Sequence, residues 1–265
     1  MQTQQTQQHS KMTDRSQLKN NQRDITLLPV APDKVLVIAC DSCGGVGEKP
    51  ADLVQAPPEI TGYYTCRVAV MEVLAVGADI RLVIDTLAVE WSPTGQRIMD
   101  GIHQCLEEAG LEKTVALNGS TEENFPMTQT AMGITVMGEA DKKALLSGVS
   151  EENDWVVSVG LPKVGQEIVQ PVDDEVVALK DFISLRNQTG VKDIIPVGSR
   201  GIGHEATLMG QLNGLQVEWQ QPLSVDINKS AGPATCAVAA MTREAYETLA
   251  GKLTCPLHKI GRLVR

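Results

Sequence analysis

The feature that most restricts how this chain can fold is an unbroken apolar run at residues 35–40, Val-Leu-Val-Ile-Ala-Cys, which stops on Asp41-Ser42-Cys43-Gly44-Gly45. It reads as a buried strand opening into a glycine loop. A carboxylate at the end of such a strand stands where α/β sheets bind ligands. Glycines beside it let the backbone approach a phosphate closely. The Gly-Lys-Ser/Thr ending of a Walker A loop is absent. A tight turn capped by Asp41 accounts for the same residues.

The rest of the chain alternates between strand and helix patterns. Residues 62–76 are mostly apolar, with Arg67 and Glu72 as their only charges, and stop at Gly77, which predicts a buried helix. A strand is expected over 81–87. Ser92-Pro93 then reads as an N-cap with proline at the first helical position, leading a helix that carries Ile98, Met99, Ile102 and Leu106 on one face. Strands are expected at 114–117 and 128–138. A polar stretch at 142–154 reads as a domain boundary. Beyond it the pattern predicts a strand at 155–159, a helix near 173–187, a strand near 193–197, a helix opened by Gly198-Ser199-Arg200-Gly201, and a closing strand, helix and strand from 235 onward. The fold class is therefore α+β, in two α/β domains at 25–150 and 151–265, preceded by a polar, Gln-rich tail at 1–24 that lacks core-forming residues.

The chain has 265 residues, is 42% hydrophobic and carries a formal net charge of −10. The acidity argues against nucleic acid and anionic membranes as partners, because both are polyanions. Phosphates remain accessible where a metal or backbone N–H groups supply the positive field. The six cysteines include one lone CxxC, Cys40 and Cys43, and read as reduced thiols used as small hydrophobes. With no signal peptide and no long apolar run, a cytoplasmic location is expected.

Five constellations could carry chemistry. Asp41 and its glycines are the first. Glu72, buried in an apolar helix and five residues from Arg67, needs a metal, a charge from elsewhere in the fold, or a narrow solvent-facing stripe. Asn118-Gly119-Ser120-Thr121-Glu122-Glu123-Asn124 follows a strand. Its hydroxyls suit phosphate oxygens and its carboxylates suit Mg²⁺. The same residues fit a capping box in which Ser120 caps and Glu123 answers it. Gly198-Ser199-Arg200-Gly201, with His204 after it, has the form of an anion-binding helix start. Lys229-Ser230-Ala231-Gly232-Pro233 is a small-residue loop before a strand.

Taken in order, these motifs resemble the aminoimidazole ribonucleotide synthetase superfamily, which includes thiamine-monophosphate kinase and selenophosphate synthetase. The resemblance runs over residues 36–264, through Asp41 and its glycines, Glu72-Val-Leu-Ala-Val-Gly77-Ala78, Asn118-Gly119-Ser120-Thr121, Gly198-Ser199-Arg200-Gly201 and Ser230-Ala231-Gly232-Pro233. The family's Gly-Gly-Asp-Thr motif has Ser120 in place of its Asp, and Asp41 is followed by Ser42 rather than a second acid. Within the superfamily, Leu161-Pro-Lys163-Val-Gly165 and Lys229-Ser-Ala-Gly-Pro-Ala-Thr-Cys236 resemble α-ribazole kinase.

The resemblance implies an N-terminal domain that forms a β-barrel with a second copy, making a homodimer. It implies ATP on Gly44, Gly45, Gly119, Ser120 and Thr121, and Mg²⁺ held by Asp41, Glu72 and Glu122. Asp41, Lys163 and Arg200 would be catalytic. A small-molecule acceptor would bind Gly198, Ser199, His204, Lys229, Ser230 and Gly232. The implied reaction is phosphorylation of a benzimidazole riboside at its 5′-hydroxyl. A different acceptor, a cyclase-like reaction or a non-catalytic nucleotide-binding role stays open. Removing the residues before Gln22 is expected to leave the thermal melting temperature unchanged; a large drop would show that the tail is packed.

Overall fold

Two sheets share one buried helix. In this computed structural model, which describes residues 21–169 and 173–265, the chain opens with β1 (Asn21–Gln22) and β2 (Ile25–Pro29). There follow β3 (Lys34–Gly44), β4 (Val46–Gly47), β5 (Val54–Gln55), α1 (Pro58–Ala75) and β6 (Asp79–Leu87). The first half ends with α2 (Gln96–Glu108), β7 (Ala116–Thr121) and β8 (Ala131–Asp141). Its sheet has the order β1-β2-β3-β8-β6-β7 and is antiparallel except for β6 and β7, which run parallel with α2 as their crossover. Within one chain this sheet is open at β1 and β7, and no closed barrel is present among the described residues.

The second half contains β9 (Trp155–Val159), α3 (Leu179–Asn187), β10 (Val191–Pro196) and α4 (Gly201–Leu212). It closes with β11 (Gln216–Trp219), β12 (Ala237–Met241), α5 (Arg243–Leu249) and β13 (Leu257–Val264). These strands form an antiparallel sheet of order β10-β12-β9-β13-β11.

α1 is mostly apolar because it is mostly buried. Proline at its first position needs no N–H partner there. Gly77, at φ +79°, ends it in the left-handed region. Val70, Met71 and Val73 share a continuous core with Val37 and Val136 of the first sheet and with Phe182 and Ile194 of the second half. Arg67, 1% exposed, crosses the seam: its Nη2 donates to the carbonyl of Val177 and, at 3.2 Å, to that of Ala234.

α1 and α2 touch backbone to backbone. A Cβ on Gly62 would stand 2.0 Å from the carbonyl oxygen of Ile98, and one on Gly101 would stand 1.9 Å from that of Glu59. Outward, β3 alternates, with Val35, Val37 and Ala39 buried and the residues between them half-covered.

Several expectations are corrected. Residues 21–24, assigned to the tail, form the β1–β2 hairpin turned at Arg23; residues 1–20 lie outside the described residues. β3 runs on to Gly44, so Asp41 lies within a half-covered strand rather than at the end of a buried one. Ser92 caps nothing with its side chain, and α2 starts at Gln96. The strand expected at 114–117 lies at Ala116–Thr121, so Ser120 cannot be a helix cap. β11 carries no long apolar run to mark it in the sequence. Cys40 and Cys43, three apart on one strand, point to opposite faces and cannot pair as a CxxC motif. Among the described residues no helix is long and apolar enough to cross a membrane.

The helix contact yields a stability prediction. Gly101→Ala forces a methyl into the Glu59 carbonyl and should cost ~1–3 kcal/mol or more, read as a lower urea midpoint. An unchanged midpoint would show that the two helices can part without cost.

Candidate active site

A cleft of about 790 Å³ lies between the halves, lined by the β1–β2 hairpin, the far end of β3, α1 and the loops before α4 and β12. Asp41, Glu72, Gly198, Ser199 and Gly232 all line it. Its walls are otherwise mainly apolar, with Ile38, Ile60, Val68 and Tyr64 among them.

Glu72 has found its charge elsewhere in the fold. Arg23 donates to its Oε2 at 2.9 Å and, through Nη1, to the carbonyl of Ile194 at 2.6 Å. Both side chains of this pair are almost fully buried, at 2% and 6% exposure. Burial still pushes the Glu72 carboxyl up to about 7, against the pull of Arg23. The Asp41 carboxyl is raised to about 6, first by burial and then by Asp24, while the Ser42 backbone N–H pulls it down. Arg23 is the one cation lining the cleft among the described residues, and its charge is committed.

A second, shallower hollow of about 600 Å³ opens beside the cleft, at the Gly44 end of the first sheet. The registers place Ser42 opposite Gly133, Gly133 opposite Thr86, and Thr86 opposite Ser120. Ser42, Thr86 and Ser120 therefore form one hydroxyl row across four strands, with a glycine leaving the floor open between the first two. Gly44, Thr121 and Glu122 complete the lining. Ser42 and Cys43 line both cavities.

The other expected residues fall outside this pair of cavities. Gly45, at φ +75°, shapes the turn out of β3. Gly119 faces the opposite way from Ser120: a Cβ there would stand 2.2 Å from the Asp85 carboxylate, so this glycine answers to packing. Lys163 Nζ is held by Asp173 at 2.5 Å and Glu175 at 2.6 Å. Lys229 pairs with Glu167 at 2.7 Å. Arg200 Nη1 and His204 Nε2 contact each other at 3.2 Å. Ser230 Oγ accepts from the Gly232 N–H at 3.4 Å.

The expected magnesium set does not fit. Asp41 and Glu72 lie in the cleft and Glu122 in the hollow. Glu72 is already bound to Arg23. Among the described residues no group of three His, Cys, Asp or Glu side chains is placed to hold an ion.

Reading the sequence missed Thr86, Arg23 and Glu205. Strand register alone aligns Thr86 with Ser120. Arg23 sits in a polar stretch whose hairpin turn has no glycine. Glu205 stands among the helical residues of α4 with nothing to mark it as buried.

Asp41→Asn is expected to preserve the fold and to lower turnover by orders of magnitude. A raised carboxyl costs stability once ionised, so the variant should melt no lower than wild type at pH 8. Wild-type activity should fall on the acid side with a midpoint near 6, and near wild-type turnover in the variant would remove Asp41 from the site.

Comparison with known proteins agrees with this architecture. Residues 22–140 match the family model described as AIR synthase related protein, N-terminal domain. No curated protein matches the chain. The solved structure of AaThiL complexed with AMPPCP and TMP is similar with a TM-score of 0.66 at 14% identity, covering 97% of this chain and 90% of that one. Thiamine monophosphate kinase from Aquifex aeolicus gives 0.63 at 16% identity, over 91% and 89% of the two chains. T. maritima PurL complexed with AMPPCP gives 0.54 at 15% identity, over 91% of this chain and 37% of that one. At these identities the structural likeness is one of fold, and the family match over residues 22–140 agrees with the resemblance of the first half to the aminoimidazole ribonucleotide synthetase superfamily.

Proposed function

We propose that the protein is an ATP-dependent phosphotransferase acting on a hydroxyl of a small molecule, with the 5′-hydroxyl of α-ribazole as the acceptor. The observation that carries this reading is the wall shared by the two cavities. Phosphoryl transfer asks a protein mainly to position two reactants and to place charge. A hollow of hydroxyls and glycine suits the nucleotide phosphates, and the adjoining apolar cleft suits an aromatic acceptor. The AMPPCP named for two of the structural neighbours is an ATP analogue, which supports a nucleotide here.

In this scheme Ser42, Gly44, Thr86, Ser120 and Thr121 hold the phosphates. The acceptor oxygen attacks the terminal phosphorus, the bond to ADP breaks, and the acceptor proton passes to Asp41, whose raised carboxyl suits a base working near neutrality. The cleft's charge supports α-ribazole over thiamine phosphate. A phosphorylated acceptor would enter a cleft with Asp24 and Asp41 and no uncommitted cation. The scheme requires no ion held by three carboxylates of the protein.

The exposed face of the first sheet supports a homodimer. Leu28, Leu36, Leu82 and Met137 lie on its helix-free side by register, and Leu28 is 47% exposed. A second copy laid on this face would bury that patch.

Incubation with ATP and magnesium chloride, with mass spectrometry of products, tests the reading. α-Ribazole should gain one phosphoryl group and thiamine monophosphate should not. Conversion of thiamine monophosphate alone would move the acceptor to the thiamine-phosphate reading. No ADP with any acceptor would leave a nucleotide-binding protein.

A further inference from the structure

Glu205, on the second turn of α4, is 6% exposed. It accepts no hydrogen bond and enters no ion pair among the described residues. Buried carboxylates ordinarily have donors, because losing water without replacing its hydrogen bonds is costly. The guanidinium that most favours its charge is engaged elsewhere: the two Nη groups of Arg23 go to Glu72 and to the Ile194 carbonyl. The charges that act on Glu205 come from the hairpin, α1 and the start of α4. Asp24 and Glu72 oppose its ionisation, and Arg23 and Arg200 favour it.

The space beside it opens on the cleft. Glu205 Oε1 lies 3.9 Å from the point where a Cβ on Gly198 would stand, and nothing else would lie within 4 Å of that Cβ. Across the same lip, a Cβ on Gly232 would find only Ser230 Oγ at 3.8 Å and the Ser199 N at 3.9 Å. Neither glycine has a positive φ. Packing and backbone conformation therefore leave both positions free to carry a side chain, and their bareness keeps the lip open.

We propose that Glu205 is an acceptor-binding residue, receiving a hydrogen bond from a sugar hydroxyl of an unphosphorylated riboside that enters between Gly198 and Gly232. A hydroxyl supplies the missing donor without adding negative charge. A phosphate there would bring further negative charge beside Glu205, whose ionisation Asp24 and Glu72 already oppose. This inference rests on the phosphotransferase reading for its ligand class, and binding measured without ATP separates the two.

The test is calorimetric titration of α-ribazole and adenosine into wild type, Glu205→Met and Glu205→Gln. The Met variant keeps length and loses the acceptor; the Gln variant keeps an acceptor oxygen. Losing a hydrogen bond to a charged group corresponds to roughly 10–100-fold in affinity. The Met variant should weaken riboside binding by that factor, and the Gln variant should recover most of it. The Glu205 carboxyl is raised to about 7 from an ordinary 4.5, so its ionised form lowers stability as pH climbs through that window. Both variants should therefore melt at or above wild type at pH 8, with the difference shrinking by pH 5. Equal affinity in the Met variant overturns the inference, as does a lower melting temperature in both variants with binding unchanged. Failure of either riboside to bind wild type also overturns it, while ADP release with other acceptors would still judge the phosphotransferase reading.

Discussion

α1 is covered nearly all round and open mainly along the cleft, and the rest of the molecule is arranged around that fact. A helix apolar on every side must be covered by more than one layer. Here the first sheet and α2 cover part of it, and β10 and α3 of the second half cover the rest. The halves are thus held to a common core, and the cleft is the gap left where that core ends. Two arginines secure the seam. Arg67 leaves α1 to bind carbonyls at Val177 and Ala234. Arg23 comes from the N-terminal hairpin to bind Glu72 and the Ile194 carbonyl.

Such buried ions are weak contributors to net stability but strong determinants of geometry, since removing one partner strands the other without water. Arg67 fixes the stretch that carries Gly232 and Ala234, and Arg23 fixes the hairpin that roofs the cleft. Each arginine also keeps a buried Nε–H without a partner. Both have given up part of their hydrogen bonding to reach across the seam.

Much of this was legible in the residues. The apolar runs located β3, α1, β6 and most strands of the second half, and Gly77 marked a helix end. The charge demand of Glu72 was visible too, although Arg23, which meets it, was not. That partner lies 49 residues away on a hairpin, and no local pattern encodes such a meeting. The segment from Asn118 to Asn124 misled because its composition fits a cap and a phosphate loop equally. Pairing with β6 drew its first half into a strand, and propensity does not report pairing. Glycines were legible as a class but not by cause. Gly62 and Gly101 serve a helix contact and Gly119 serves Asp85. Gly198 and Gly232 face open space, a distinction that only neighbouring atoms reveal.

The pleat of β3 has a further consequence. Ser42 and Cys43 are consecutive, and consecutive strand residues face opposite ways, yet both cavities touch both residues. The two cavities therefore meet over one strand. The edge they share is set by covalent bonds rather than by the mutual fit of domains. The offset between two bound molecules would be gauged by the backbone of a single strand, and drift elsewhere in the sequence would leave that gauge intact.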